Sequence, residues 1–166
     1  MTYSAPAGTR VGHIHLKVSD LDRSIAFYTD VLGFELQQRY GSQAAFLSAG
    51  GYHHHIGLNT WESRGGAPAP KGHPGLFHVA FVYPTPADLG RAVGSVLDAG
   101  VSLTGAADHG VSQAIYLDDP DGNGIELYWD RPEADWPRDA NGTLSMVNSR
   151  LDVGALVRLG AQTQPA

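Results

Sequence analysis

The sequence predicts an α+β fold: two βαβββ modules, paired so that their sheets form a barrel-like cleft able to hold a metal. Three observations predict it. The order strand, helix, strand, strand, strand runs through residues 11–60 and begins again at residue 76. Residues 61–75, containing ESRGGAPAPKGHPG, are rich in glycine and proline and separate the two runs as a linker does. Anchor positions superimpose, His15 on His78, Phe46-Leu47 on Ile115-Tyr116 and Ile56-Gly57-Leu58 on Ile125-Glu126-Leu127. One such module leaves a sheet face bare, and a second module or a second chain can cover it.

Each element has a local cause. VGHIHLKVSD (Val11 to Asp20) alternates apolar and polar residues with the period of a strand. The pattern then changes to helical spacing, with Ile25, Tyr28, Val31 and Leu32 on one face, Ser19 or Asp20 as N-cap and Gly33 as the stop. FELQQRY, AAFLSAG and HHHIGLN read as three strands that close module one. In residues 76–130, LFHVAFVYP is a strand, and TPADLGRAVGSVLDAG is a helix capped by Thr85, with Pro86 in its first turn and Gly100 at its end. VSLTGAAD, VSQAIYLDDP and NGIELYW are three more strands, the last two joined by the turn DPDGNG. Residues 131–166 form a C-terminal arm with a helix predicted from about Asp152 to Leu159.

Composition narrows the chemistry. With 42% apolar and 17% charged residues the chain is globular, and 166 residues bury a core without disulfides. A net charge of −6 offers no footprint for nucleic acid or for an anionic membrane. No apolar run reaches the roughly 18 residues of a membrane span, and MTYSAPAGTRVG lacks the basic-then-apolar pattern of a secretory leader. Cysteine is absent, which excludes disulfides, zinc fingers, iron–sulfur ligation and thiol catalysis, and fits an expected cytoplasmic location. Any metal site must therefore be built from nitrogen and oxygen.

His13 and His15 share one face of the first strand, and His78 stands at the repeat-equivalent place of His15. Glu126 sits between Ile125 and Leu127, where a carboxylate is costly to bury unless it is paired or holds a cation. Two imidazoles and a carboxylate with open positions are the facial set of non-haem Fe(II) oxygen chemistry. From the residues alone, satisfied strand histidines and a metal centre remain equal alternatives.

HIHLKVSDLDRSIAFYTDVLGFEL, FHVAF and DPDGNGIELYWD resemble the vicinal oxygen chelate superfamily over about residues 11–130. That superfamily includes glyoxalase I, extradiol dioxygenases, fosfomycin-modifying enzymes and bleomycin-binding proteins. YHHHIGLNTW, DHGVSQAIYL, ELYWDRP and WPRD are similar to its short catechol 2,3-dioxygenase-like branch. The resemblance implies a metal on His15, His78 and Glu126, Fe(II) or alternatively Mn(II) or another divalent ion. It also implies a substrate-touching tyrosine ten residues before the glutamate, which is Tyr116. The relatives' acid–base histidine lies upstream of the second ligand, where this chain has only His73 in the linker; His109 is the other candidate.

The function this implies is extradiol cleavage of a catechol-type aromatic by O2, in a homodimer or higher homo-oligomer. The alternatives are a glyoxalase-like isomerase, a fosfomycin-type transferase, or a non-catalytic small-molecule binder. Glyoxalase I relatives place a fourth ligand in the last strand of module one, which the superposition assigns to Gly57. Alternation would turn His55 and His53 to the same side as Gly57, making His55 a further acid–base candidate and leaving the metal's open side clear. Phe27, Phe81, Trp61 and Trp129 are candidates for an aromatic wall.

Overall fold

The first strand, β1 (Ile14–Lys17), alternates as its sequence requires: Leu16 is buried, while His15 and Lys17 are exposed. The structure is a computed structural model and describes residues 2–163. Asp20 caps α1 (Leu21–Ala26), its carboxylate accepting the Arg23 N–H at 3.0 Å. The predicted helix does not stay α-helical. Its last turn, Phe27–Val31, widens to a π-helix in which the Leu32 N–H donates to the Phe27 carbonyl at 3.3 Å. Gly33 then leaves the helix at φ 75°, a conformation glycine adopts without steric cost.

β2 (Glu35–Tyr40), β3 (Ala44–Ser48) and β4 (Ile56–Asn59) complete a sheet of order β1-β4-β3-β2, with β1 parallel to β4 and the other pairs antiparallel. The second half repeats this plan. β5 (Val79–Val82), α2 (Pro86–Asp98), β6 (Leu103–Asp108), β7 (Ser112–Asp118) and β8 (Gly124–Asp130) give the order β5-β8-β7-β6, with β5 parallel to β8. Thr85 caps α2 by accepting the Asp88 N–H. α3 (Val153–Gln162) runs beyond the predicted end and lies against α2 at two buried glycines. A Cβ on Gly90 would stand 2.1 Å from the Leu156 carbonyl oxygen, and one on Gly160 2.4 Å from the Arg91 nitrogen.

One face of each sheet enters a shared core that joins Leu16, Leu47, Ile56 and Leu58 to Val79, Ile115, Ile125 and Leu127. Polar contacts lock the halves together at the DPDGNG turn. The buried Asp119 carboxylate accepts the Tyr28 hydroxyl at 3.1 Å, the backbone N–H groups of Asp121 and Asn123, and the Asn123 side-chain amide. Four donors offset the desolvation of a carboxylate in this position. Asp121 accepts both the N–H and the hydroxyl of Ser19 and pairs with Arg23 at 2.6 Å.

The expected paired arrangement holds, with a curved cleft and no closure into a barrel: among the described residues no strand ladder joins the sheets, and β1 and β5 each lie at an edge of their own sheet. The halves meet through helices and turns on the core side, which leaves two open, curved sheet faces. One expectation is corrected: the histidine run is not strand, because β4 begins at Ile56, after His53, His54 and His55. Among the described residues no helix is long and apolar enough to cross a membrane.

Candidate functional site

The open face of the second sheet carries a continuous polar array. Ladder pairing sets Tyr116 on β7 directly opposite Glu126 on β8, so both project to one side. The Tyr116 hydroxyl donates to Glu126 Oε1 at 3.1 Å, and His109 Nε2 lies 3.0 Å from the same hydroxyl. His78, one residue before β5, sets Nε2 2.9 Å from Glu126 Oε2. The Tyr116 ring lies over Gly105, where a Cβ would stand 3.4 Å away. Burial first, and then the Glu126 charge and hydrogen bond, push the Tyr116 phenol up to about 12. Tyr116 therefore keeps its proton at neutral pH and acts as a donor.

His78 and Glu126 suit a divalent cation. Two ligands at roughly 2.1 Å from one ion, at right angles, stand about 3 Å apart, close to the His78–Glu126 separation of 2.9 Å. The His78 Nδ1 is buried without a hydrogen-bond partner, so only Nε2 faces the polar array. An imidazole nitrogen and a carboxylate oxygen are donors that iron, manganese or zinc accepts.

His15 stands elsewhere. Its ring lies over Gly57, its partner across the β1–β4 ladder, with the Trp61 ring 5.5 Å and the Phe46 ring 6.1 Å away. Burial and then the neighbouring His13 hold its imidazole below the usual histidine range, which favours the neutral, ligand-competent form. Among the described residues no group of three or more His, Asp or Glu side chains is arranged to hold a metal ion. Within one chain the structure thus brings together His78, Glu126, Tyr116 and His109, and leaves His15 outside that group.

Register corrects the superposition of the halves. His15 pairs with Gly57 and Lys17 with Asn59, whereas Ala80, two residues after His78, pairs with Glu126. The module-one counterpart of Glu126 is therefore Asn59, not Gly57, and the counterpart of Tyr116 is Ala44, which pairs with Asn59. The matching segments Gly57-Leu58-Asn59 and Gly124-Ile125-Glu126 carried this signal in the sequence. Gly57 does not leave an open coordination side, because the His15 ring fills that place; a Cβ there would meet ring atoms at 2.9–3.1 Å. Asn59 is buried, and its side-chain oxygen accepts the Trp61 N–H at 3.2 Å.

The histidine run is also re-sorted, since strand alternation does not apply outside β4. His54, not His53 or His55, turns toward the His15 side, with its ring 4.4 Å from His13 and 5.0 Å from Phe46. His55 accepts the Ala49 N–H and stacks on Tyr52, away from the Tyr116–Glu126 array. Of the four aromatic-wall candidates, Phe27, Phe81 and Trp129 belong to or pack against the core, and only Trp61 stands exposed beside His15. His73 is an exposed linker residue.

Three comparisons bear on this geometry. The profile of the Glyoxalase/Bleomycin resistance protein/Dioxygenase superfamily matches residues 10–127. The catechol-2,3-dioxygenase of Bacillus subtilis is 35% identical over 150 residues, which is 90% of this chain and 51% of that protein. The chain thus spans about half the length of this relative. A probable lactoylglutathione lyase of Vibrio cholerae is 32% identical, over 71% of this chain and 88% of that protein. The crystal structure of a glyoxalase/dioxygenase from Nostoc punctiforme superimposes with a TM-score of 0.65 at 22% identity, covering 80% of this chain and 99% of that one, and supports the fold.

Proposed function

The chain belongs to the Glyoxalase/Bleomycin resistance protein/Dioxygenase superfamily, and we propose that it is an extradiol dioxygenase cleaving a catechol-type ring with O2. The observation that carries this reading is the continuous array His78–Glu126–Tyr116–His109. It sets a half-site for a cation against a phenol that keeps its proton and a histidine able to exchange one. His78 and Glu126 would hold Fe(II), or Mn(II) in its place. Such a cation supplies a template for the two catechol oxygens and an electron path from ring to dioxygen. Tyr116 orients Glu126 by donating its one hydroxyl hydrogen to Oε1. His109 takes or returns a proton through Tyr116, the part of general acid–base catalysis that needs a group within hydrogen-bond reach.

His15 is the third ligand in this reading, supplied by a second copy of the chain. The separation of His15 from the array within one chain and the open edges of β1 and β5 support this arrangement. So do the exposed apolar side chains Val11, Phe77 and Val82, close to those edges in sequence. The test is complementation. His15→Ala and His78→Ala subunits should each bind little iron alone, and co-assembled they should regain one intact site in a fraction of the dimers. No recovery on co-assembly would return His15 to a structural role.

Activity is tested by anaerobic loading with Fe(II), then addition of catechol and oxygen. A yellow ring-fission product is expected. Full iron loading with no turnover across simple and substituted catechols would overturn the dioxygenase reading. Conversion of the glutathione–methylglyoxal adduct instead would move the chain to the lyase reading that the Vibrio relative supports.

A further inference from the structure

The histidine run carries a pair of metal-ligating side chains apart from the Tyr116–Glu126 array. Gly50 at φ 64° and Gly51 at φ 73° turn the chain back after β3, a left-handed path open to glycine. The chain rejoins the sheet at His55. The His55 N–H donates to the Leu47 carbonyl at 2.9 Å, and its carbonyl accepts the Ile14 N–H at 3.0 Å. Its ring Nδ1 accepts the Ala49 N–H at 3.3 Å. His53 and His54 stand before that anchor, outside any strand. In a strand, neighbours in sequence point to opposite faces. Here they turn toward each other, and the two Nδ1 atoms stand 2.8 Å apart. Aromatic neighbours hold both rings. Tyr52 stacks on His53 with centroids 4.1 Å apart, while His13 at 4.4 Å and Phe46 at 5.0 Å flank His54. His53 is exposed and His54 half-buried, so the pair is open to solvent.

Two neutral imidazoles in such contact share one hydrogen: one ring carries it on Nδ1, and the other offers a lone pair. A cation can take its place once the first ring holds that hydrogen on Nε2 instead. Both rings then remain neutral, and no proton is gained or lost. Neutral imidazole is a ligand for copper, nickel, zinc and iron, and the spacing narrows this set. Two nitrogens roughly 2.0 Å from one ion stand about 2.8 Å apart at a right angle and about 3.3 Å apart at a tetrahedral angle. The His53–His54 separation of 2.8 Å fits the right angle, which belongs to tetragonal Cu(II) or Ni(II) rather than to tetrahedral zinc. We propose that His53 and His54 chelate one tetragonal divalent cation through their Nδ1 atoms, with water at its other positions. Cu(II) binds nitrogen donors most strongly in the divalent series and is the ion expected there. His55 stays outside the pair because the Ala49 N–H occupies its Nδ1.

This site does not rest on the dioxygenase reading, and the two fail separately. The experiment is a copper(II) titration of the full chain carrying Glu126→Ala, in which the other cation pair has lost its carboxylate. One equivalent of Cu(II) should bind and give a tetragonal electron paramagnetic resonance spectrum split by two imidazole nitrogens. Adding His53→Ala should weaken that equivalent by more than about 100-fold, beyond the roughly 10- to 100-fold cost of disturbing a ligand's support. His54→Phe keeps a ring between His13 and Phe46 but removes the nitrogens, and it should do the same. His55→Ala should stay within about tenfold, the lower end of that support scale. A two-nitrogen spectrum that survives His53→Ala or His54→Phe would overturn the proposal. So would a parent chain that binds no copper, or a loss in His55→Ala as large as in the other two, which would assign binding to the histidine-rich surface as a whole.

Discussion

The two sheets share a frame and differ in what they display on their open faces. Both put a histidine beside a glycine of the last strand, His15 over Gly57 and His78 next to Gly124. Two residues on, the second half has Glu126 opposite Tyr116, where the first has Asn59 opposite Ala44. The first half keeps the imidazole and surrounds it with Trp61, Phe46, His13 and His54 rather than with an anion. Duplicating a scaffold thus duplicates the seats for side chains without duplicating chemistry. The core-facing residues must satisfy the same packing in both halves, whereas the open faces are free to diverge. One face carries the His78–Glu126–Tyr116–His109 array, and the other an imidazole beside the Trp61 and Phe46 rings.

The sharpest way to break this asymmetry is to remove the matched pair. Glu126→Ala should weaken metal binding by more than about 100-fold, beyond the roughly 10- to 100-fold cost of losing a group that only supports a ligand. Asn59→Ala should leave affinity within about twofold and cost only the hydrogen bond to Trp61, about 1 kcal/mol. Metal titration of both variants measures the contrast, and equal losses would erase it. Next in size is Gly57→Ala. The added methyl would lie 2.9 Å from the His15 ring, which must rotate away. Affinity should fall about tenfold, the lower scale of disturbing a ligand's support, with the melting temperature little changed because the displaced group is a side chain rather than backbone.

Much of the frame was legible because its causes are local. Thr85, Pro86 and Gly100 bracket α2, and the DPDGNG turn and the period-two runs place β7 and β8. His15, His78, Glu126 and Tyr116 were all singled out, and the structure joins the last three. What escaped the sequence depends on distance or on geometry that strands do not encode. Alternation says which face a residue takes, but the offset between two parallel strands is set by the crossover between them. Both halves set the first-strand histidine against a glycine of the last strand, His15 at Gly57 and His78 at Gly124, a pairing that alternation alone does not announce. Hence Asn59 was missed and Gly57 taken in its place. His55 was misplaced because a strand pattern was extended past the strand's start. Val147 meets His109 across 38 residues of chain with no periodic signal to announce it.

Between the halves, the contacts that hold them should respond to acid. Burial raises the Asp121 carboxyl, but the Ser19 hydroxyl and N–H and the Arg23 guanidinium outweigh it, and the group lies below its ordinary 3.8. A folded-state value below the unfolded one stabilises the protein fully above the unfolded value, and that contribution is lost as pH falls through the folded one. Wild-type stability should therefore drop below about pH 4, whereas Asp121→Asn should lack this part of the drop and be weaker by about 2 kcal/mol at neutral pH. The partly exposed Arg23 keeps this figure modest. Denaturant melts across pH measure both, and parallel curves for the two proteins would remove Asp121 from the acid response. Tyr28→Phe is smaller still. It deletes one of four donors to Asp119 and leaves the other three in place. The cost should be about 1 kcal/mol, with metal affinity unchanged because this contact lies on the core side, away from both open faces. A loss of metal in Tyr28→Phe would mean that the docking of the halves sets the geometry of the site, and that the two faces are not independent.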